Sequence, residues 1–265
     1  MKKIVAVLWH NSANRLNMLQ SQTDEFVCLK VYSAAALSDG RQDLDKLYRD
    51  MDDADAFLFQ VTSSDSAWIE IEEYAEKFET PMIYVGGESA GKIKTKDQMK
   101  HSAICNQFYV YSGAENMVNM MKYICSQVLH EEMDYQEPIF IPWEGIFHPD
   151  SKEIFQSTKD YFAWKEPSGK GTIALLVSRT AWLSGDIEVE RALIKHIEKN
   201  GYTALPIFSY AMADIDLGAK GTAYAIETFC FDGYGQPIVD GVIRMTGFFL
   251  QDTDEYANTS ESSVM

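Results

Sequence analysis

"TIALLVSRTAWLSGDIEVERALIKHIEKNGYTALPIFS" occupies residues 172–209. Its two ends, 172–178 and 202–209, are short apolar runs of a length that suits buried strands. Between them, residues 185–201 carry apolar side chains at helical spacing. Asp186 stands where an N-cap belongs, Glu188 and Glu190 suit the positive end of the helix dipole, and Gly201 suits the stop. Two strands joined through a helix make a parallel β-α-β unit with a right-handed crossover.

The pattern extends in both directions. Downstream, residues 219–229 read as a helix and 237–245 as a third strand. Upstream, strands are expected at 3–9, 25–33, 54–61 and 81–87, with helices over 43–51 and 65–78. A further helix starts at Ser112, with Glu115 three residues on as the second half of a capping box. The fold class is therefore α/β, two Rossmann-like (flavodoxin-like) parallel-sheet lobes, the second incomplete at three strands. Residues 1–132 make the first domain and 171–250 the second, partial unit. Residues 133–170 read as a connector with a bridging helix capped by Asp150, and 251–265 as a polar tail without periodicity.

Composition narrows the partners. With 23 basic and 40 acidic residues the formal net charge is −17, which disfavours nucleic acid and anionic membrane surfaces. No stretch reaches the roughly 20 apolar residues that span a bilayer, so no membrane insertion is expected. The N-terminus lacks the apolar core of a secretory signal, and Cys28, Cys105, Cys125 and Cys230 show no C-x-x-C pairing. The cytoplasm is the expected location.

The usual nucleotide signatures fail in detail. "GGESAGKI" (86–93) has P-loop spacing, but Ile93 replaces the magnesium-binding Ser or Thr. "HNSAN" after the first strand has no glycine for a pyrophosphate. The Ser- and Thr-rich "VTSSDSAW" after the third strand either meets a ligand or only caps the next helix. The strongest local candidate is "SRTAWLSGD" (178–186), a strand-to-helix loop. Arg179 offers a planar fork of donors to a carboxylate, Trp182 a flat apolar face, and the following helix N-terminus attracts anions. The alternative is a buried tryptophan and a structural arginine. His148, in "HPD", is the one histidine placed to be weighed as a metal ligand. No second ligand stands near it in sequence, and a structural role is the competing reading.

Five segments in one order carry a resemblance: "YVYSGAENMVNMMKYI" (109–124), "GIFHPDSKEIFQSTKDYFAW" (145–164), "SRTAWLSGD", "ALIKHIEKNGYTALPIFSYAMAD" (192–214) and "VDGVIRMTGFFL" (239–250). Together they resemble the cobaltochelatase large subunit / magnesium chelatase large subunit family, whose members are several times longer, so that this chain would match an N-terminal portion. The resemblance implies ATP-dependent insertion of a divalent metal into a tetrapyrrole, with separate AAA+-type ATPase subunits using the ATP. It leans to the cobalt branch, with cobalt as substrate ion and a corrin-type ring on the way to cobalamin. Magnesium insertion into protoporphyrin and a non-catalytic tetrapyrrole-binding or docking module are the alternatives. On this resemblance Arg179, Thr180, Trp182 and Asp186 are the expected ring-binding residues, and this portion alone is expected to insert no metal.

Overall fold

A computed structural model describes residues 1–60, 67–86, 91–215 and 217–246. Most of the "VTSSDSAW" loop, part of the P-loop-like stretch and the polar tail lie outside them. The chain divides into two compact units, Met1–Ile141 and Pro142–Met265.

The first unit runs β1 (Lys2–Leu8), α1 (His10–Met18), α2 (Gln20–Thr23), β2 (Val27–Ser33), α3 (Ala34–Ser38), α4 (Leu44–Asp52), β3 (Ala56–Gln60), α5 (Ala67–Ala75), β4 (Met82–Val85), α6 (Lys96–Tyr111) and α7 (Ala114–Tyr123). The sheet is wholly parallel in the order β2-β1-β3-β4. Alternate residues of β1 point to opposite faces. Ile4, Ala6 and Leu8 pack with Leu16, Phe108, Met117, Met120 and Met121. Val5 and Val7 pack with Leu47, Met51, Phe57, Phe59 and Ile71. Burial on both faces is why the strand reads as a continuous apolar run.

Helix α6 runs along the outer edge of β4 and satisfies its backbone. Gln98 Nε2 donates to the Met82 carbonyl at 3.1 Å, Ser102 Oγ accepts the Tyr84 N–H at 3.0 Å, and Asn106 Oδ1 accepts the Gly86 N–H at 2.8 Å. Four helical residues rise about 6 Å, and two strand residues rise about 6.6 Å. A polar stripe at every fourth helical position therefore keeps step with every second strand position. The sheet edge is covered by side chains rather than by another strand.

The capping box expected at Ser112 does not form. Gly113 (φ 85°) is the N-cap of α7 and makes no side-chain cap, Ser112 itself has φ 62°, and its hydroxyl turns instead to Arg15. Residues 133–141, read above as the start of the connector, run over α7. Asn116 bonds the Ile139 N–H and carbonyl, each at 2.8 Å, and Asn119 Oδ1 accepts the Gln136 N–H at 3.0 Å.

The second unit contains β5 (Gly145–Ile146), α8 (Thr158–Trp164), β6 (Thr172–Ser178), α9 (Arg179–Ser184), α10 (Glu188–Lys199), β7 (Thr203–Ser209), α11 (Gly221–Cys230) and β8 (Gly241–Arg244). Strands β6, β7 and β8 are parallel, but β5 adds antiparallel to β7, so the order is β5-β7-β6-β8 and the sheet is mixed rather than purely parallel. A two-residue strand leaves no alternating pattern to read. The helix expected from Asp150 is also corrected. Ile146 and Phe155 exchange backbone hydrogen bonds, each 2.9 Å, which commits that segment to extended pairing. The helix starts only after Ser157, whose hydroxyl accepts the Asp160 N–H at 3.1 Å.

The two units share one plan. In each sheet the first parallel strand lies between the second and the third. An aspartate just before the third strand clamps the start of the first. Asp55 accepts the Lys3 N–H at 2.7 Å and gives its own N–H to the Lys3 carbonyl at 2.8 Å. Asp240 does the same to Thr172, at 2.7 and 2.8 Å. A side chain at Gly171 (φ 127°) would put Cβ 2.4 Å from the Asp240 carboxylate, which excludes any other residue there.

Candidate functional site

Open α/β sheets bind ligands outside the carboxyl ends of their strands, where the strand order reverses. In these units those points lie between β1 and β3 and between β6 and β8.

The edge of the second sheet is filled by its own side chains. Arg179 is 4 % exposed, its Nε donates to the Pro142 carbonyl at 2.8 Å, and its guanidinium lies 4.3 Å from the centre of the Trp143 ring. Trp143 meets Tyr210 edge-on. Trp182 stacks on Phe208 with centroids 3.9 Å apart and an interplanar angle of 11°, and it also touches Phe147. Thr180 and Asp186 are exposed. Asp186 does not cap α10: the chain turns at Gly185 (φ 76°), and the N-cap is Ile187 without a side-chain bond. Of the sequence-predicted set, Arg179 and Trp182 lie against separate aromatic neighbours, and Thr180 and Asp186 face solvent.

Beside this stack, Glu144 Oε1 accepts the N–H groups of Lys220 and Gly221 at 2.9 and 2.8 Å, at the start of α11. Such an N-terminus is where phosphates bind in nucleotide folds. Here the chain's own carboxylate occupies it. Gly221 (φ 81°) is required, because a Cβ would lie 2.7 Å from the backbone of Met212 and Ala213. Lys220 sits 4.2 Å over the Tyr224 ring, and its bond to the phenol holds Tyr224 below its ordinary pKa.

His148 is 3 % exposed and has both ring nitrogens engaged. Nδ1 accepts the Asp150 N–H at 3.2 Å, so the proton belongs on Nε2, which meets Glu198 Oε1 at 3.0 Å. Lys165 shares that carboxylate. Burial lowers the His148 pKa against the opposing pull of Glu198. A metal at His148 would have to displace one of these partners. Among the described residues, no three of His, Cys, Asp and Glu converge as a metal site.

The edge of the first sheet is chemically different. "HNSANR" opens α1, and this puts Ser12 and Arg15 on successive turns facing the end of α6. Ser12 Oγ pairs with Tyr109 Oη at 2.8 Å. Arg15 donates through Nη1 to Ser112 Oγ and through Nη2 to Ser12 Oγ at 3.4 Å, while its Nε is buried without a partner. Nearby, Gln60 Oε1 accepts the Trp9 N–H at 3.1 Å, and Trp9 is 49 % exposed. Sequence reading passed over this cluster. Its only signal is a lone arginine in a polar run after the first strand.

Two hollows also lie in the first unit. One of about 480 Å³ is lined by Val118, Lys122 and Tyr135, and one of about 880 Å³ by Met82, Lys92, Lys100, His101 and His130 near the amino end of β4. Neither is lined by Arg179, Thr180, Trp182, Asp186 or His148.

Fold and edges together define a protein of two doubly wound α/β units, the second with an anion seat filled from within. The chain belongs to the CobN/Magnesium Chelatase family, whose family model matches residues 106–264. The uncharacterized protein MJ1441 of Methanocaldococcus jannaschii is 26 % identical over 98 % of this chain and 20 % of its own length. The chloroplastic magnesium-chelatase protein ChlH of Oryza sativa subsp. indica is 24 % identical over 54 % of this chain and 11 % of its own. Among solved structures, the catalytic subunit of cobaltochelatase from Mycobacterium tuberculosis superposes with a TM-score of 0.56 at 13 % identity, over 92 % of this chain and 18 % of that one. The chain thus spans a fifth or less of the length of these relatives. Among the described residues, no helix is long and apolar enough to cross a membrane.

Proposed function

We propose that this chain is the N-terminal portion of a chelatase large subunit that handles a tetrapyrrole during insertion of a divalent metal. Cobalt and a corrin-type ring, in cobalamin synthesis in the cytoplasm, are the preferred pair. The observation that carries the reading is the family match over 106–264, which covers more than half of the chain. Metal insertion is a ligase reaction in which AAA+-type partner subunits spend the ATP. The Glu144-filled helix terminus favours that division of labour, since a nucleotide phosphate would compete with a resident carboxylate there. The magnesium-chelatase relatives favour magnesium and protoporphyrin as the second reading.

Absorbance titration of the purified chain with a corrin precursor and with protoporphyrin tests the proposal. A spectral shift that saturates with the corrin precursor, and more weakly with protoporphyrin, is expected. Silence with both rings would remove tetrapyrrole binding from this portion. Cobalt and ATP added to the chain alone should yield no metallated ring, and metallation without other subunits would refute the assignment of ATP use to partners.

A further inference from the structure

Among the described residues no carboxylate lies within ion-pair distance of Arg15, and its partners are the hydroxyls of Ser12, Ser112 and Tyr109. A guanidinium has five N–H donors, and the one on Nε is buried without an acceptor among the described residues. The group is half-buried, and burial lowers its pKa with only Tyr109 opposing. Desolvated cations are costly unless paired. This one is held in place by a second costly feature, the left-handed backbone of Ser112 that aims its hydroxyl at the fork. Backbone strain and a cation without a carboxylate partner among the described residues thus meet at one point of the sheet's carboxyl edge.

We propose that Arg15, with Ser12, Tyr109 and Ser112, binds a carboxylate group of a ligand at the carboxyl edge of the first sheet. The fork accepts a planar carboxylate side by side with two N–H groups. Of the paired hydroxyls of Ser12 and Tyr109, the one that accepts within the pair keeps its own proton for the second oxygen. That this carboxylate is an acid side chain of a tetrapyrrole rests on the reading above. The anion site itself does not.

The test uses the full chain and three probes: propionate, deuteroporphyrin with its two free propionates, and the dimethyl ester of the same ring. Propionate should raise the melting temperature of the parent chain, and Arg15→Gln should abolish that rise. Deuteroporphyrin should bind at least tenfold more tightly than its ester to the parent chain, and Arg15→Gln should bring the two together. Arg15→Lys, which keeps charge but not fork, should recover only part of the preference. Without ligand, Arg15→Gln should melt no lower than the parent, since it removes a half-buried charge. An Arg15-dependent response to propionate without ring binding would keep the anion site and sink the tetrapyrrole reading. Ring binding indifferent to esterification and to Arg15→Gln would sink the site and leave that reading standing. A melting temperature several degrees lower in Arg15→Gln, with propionate ineffective on the parent, would make Arg15 structural and overturn the proposal.

Discussion

A single side chain shows how the fold holds His148. Its imidazole is read in sequence either as a ligand or as a joint, and the hydrogen bonds make it a joint between the start of the second unit and α10. Because burial lowers its pKa, the folded protein resists a proton that the unfolded chain accepts from about pH 6.5 downward. Stability from this group is therefore complete above that pH and declines as acid is added. His101, in the first unit, acts in the same sense. His148→Gln should flatten the decline while His101 stays as the background. Urea midpoints at pH 7.5 and 5.5 decide the matter, and an equal loss in parent and variant would show that His148 does not titrate on unfolding. Arg179 and Trp182 teach the converse lesson. Residue type marked them as donors and flat faces, and the fold shows the neighbours that each meets: Pro142 and Trp143 for one, Phe208 for the other.

Among helices and strands, legibility tracked burial. Strand β6 is read correctly from "TIALLVS" because residues 174–177 are buried on both faces and form a continuous apolar run. Helix α6 passed unread for the opposite reason. Gln98, Ser102 and Asn106 take the edge of β4 and leave only Cys105 and Phe108 as the helix's fully buried apolar residues, too few to make a stripe. Helix α1 and strand β5 escaped for want of pattern, one being mixed in polarity and the other two residues long. The role of α6 is measurable. Ser102→Ala strands the Tyr84 N–H in a buried place and should cost about 1–3 kcal/mol. Denaturant unfolding reads this directly, and a change under about 0.5 kcal/mol, well below that figure, would mean the edge is satisfied in another way.

For the whole chain, the repeated order of strands and the repeated aspartate clamp make the second unit a restatement of the first. "DADAF" and "VDGVI" show the kinship only once the coordinates align Asp55 with Asp240. Each clamp removes two otherwise unmet backbone groups at the mouth of its sheet. Asp55→Ala and Asp240→Ala should each lower the stability of its own unit by about 1–3 kcal/mol. Hydrogen exchange should speed up at Ile4–Leu8 in the first variant and at Ala174–Val177 in the second. Uniform protection in both would show the clamps to be ornamental. The family assignment was legible from short motifs, whereas the cluster around Arg15 was not, because its hydroxyl partners Tyr109 and Ser112 come from a segment far along the chain.

Glu144 has a consequence for how the protein is made. Its carboxylate leaves the ribosome 77 residues ahead of Gly221, whose N–H it must meet. At ordinary rates of synthesis that is a wait of roughly 4–15 seconds. Until then the acid stays hydrated and α11 has no seat. The seating of α11 is thus timed by translation, and β8 still has to follow it into the sheet.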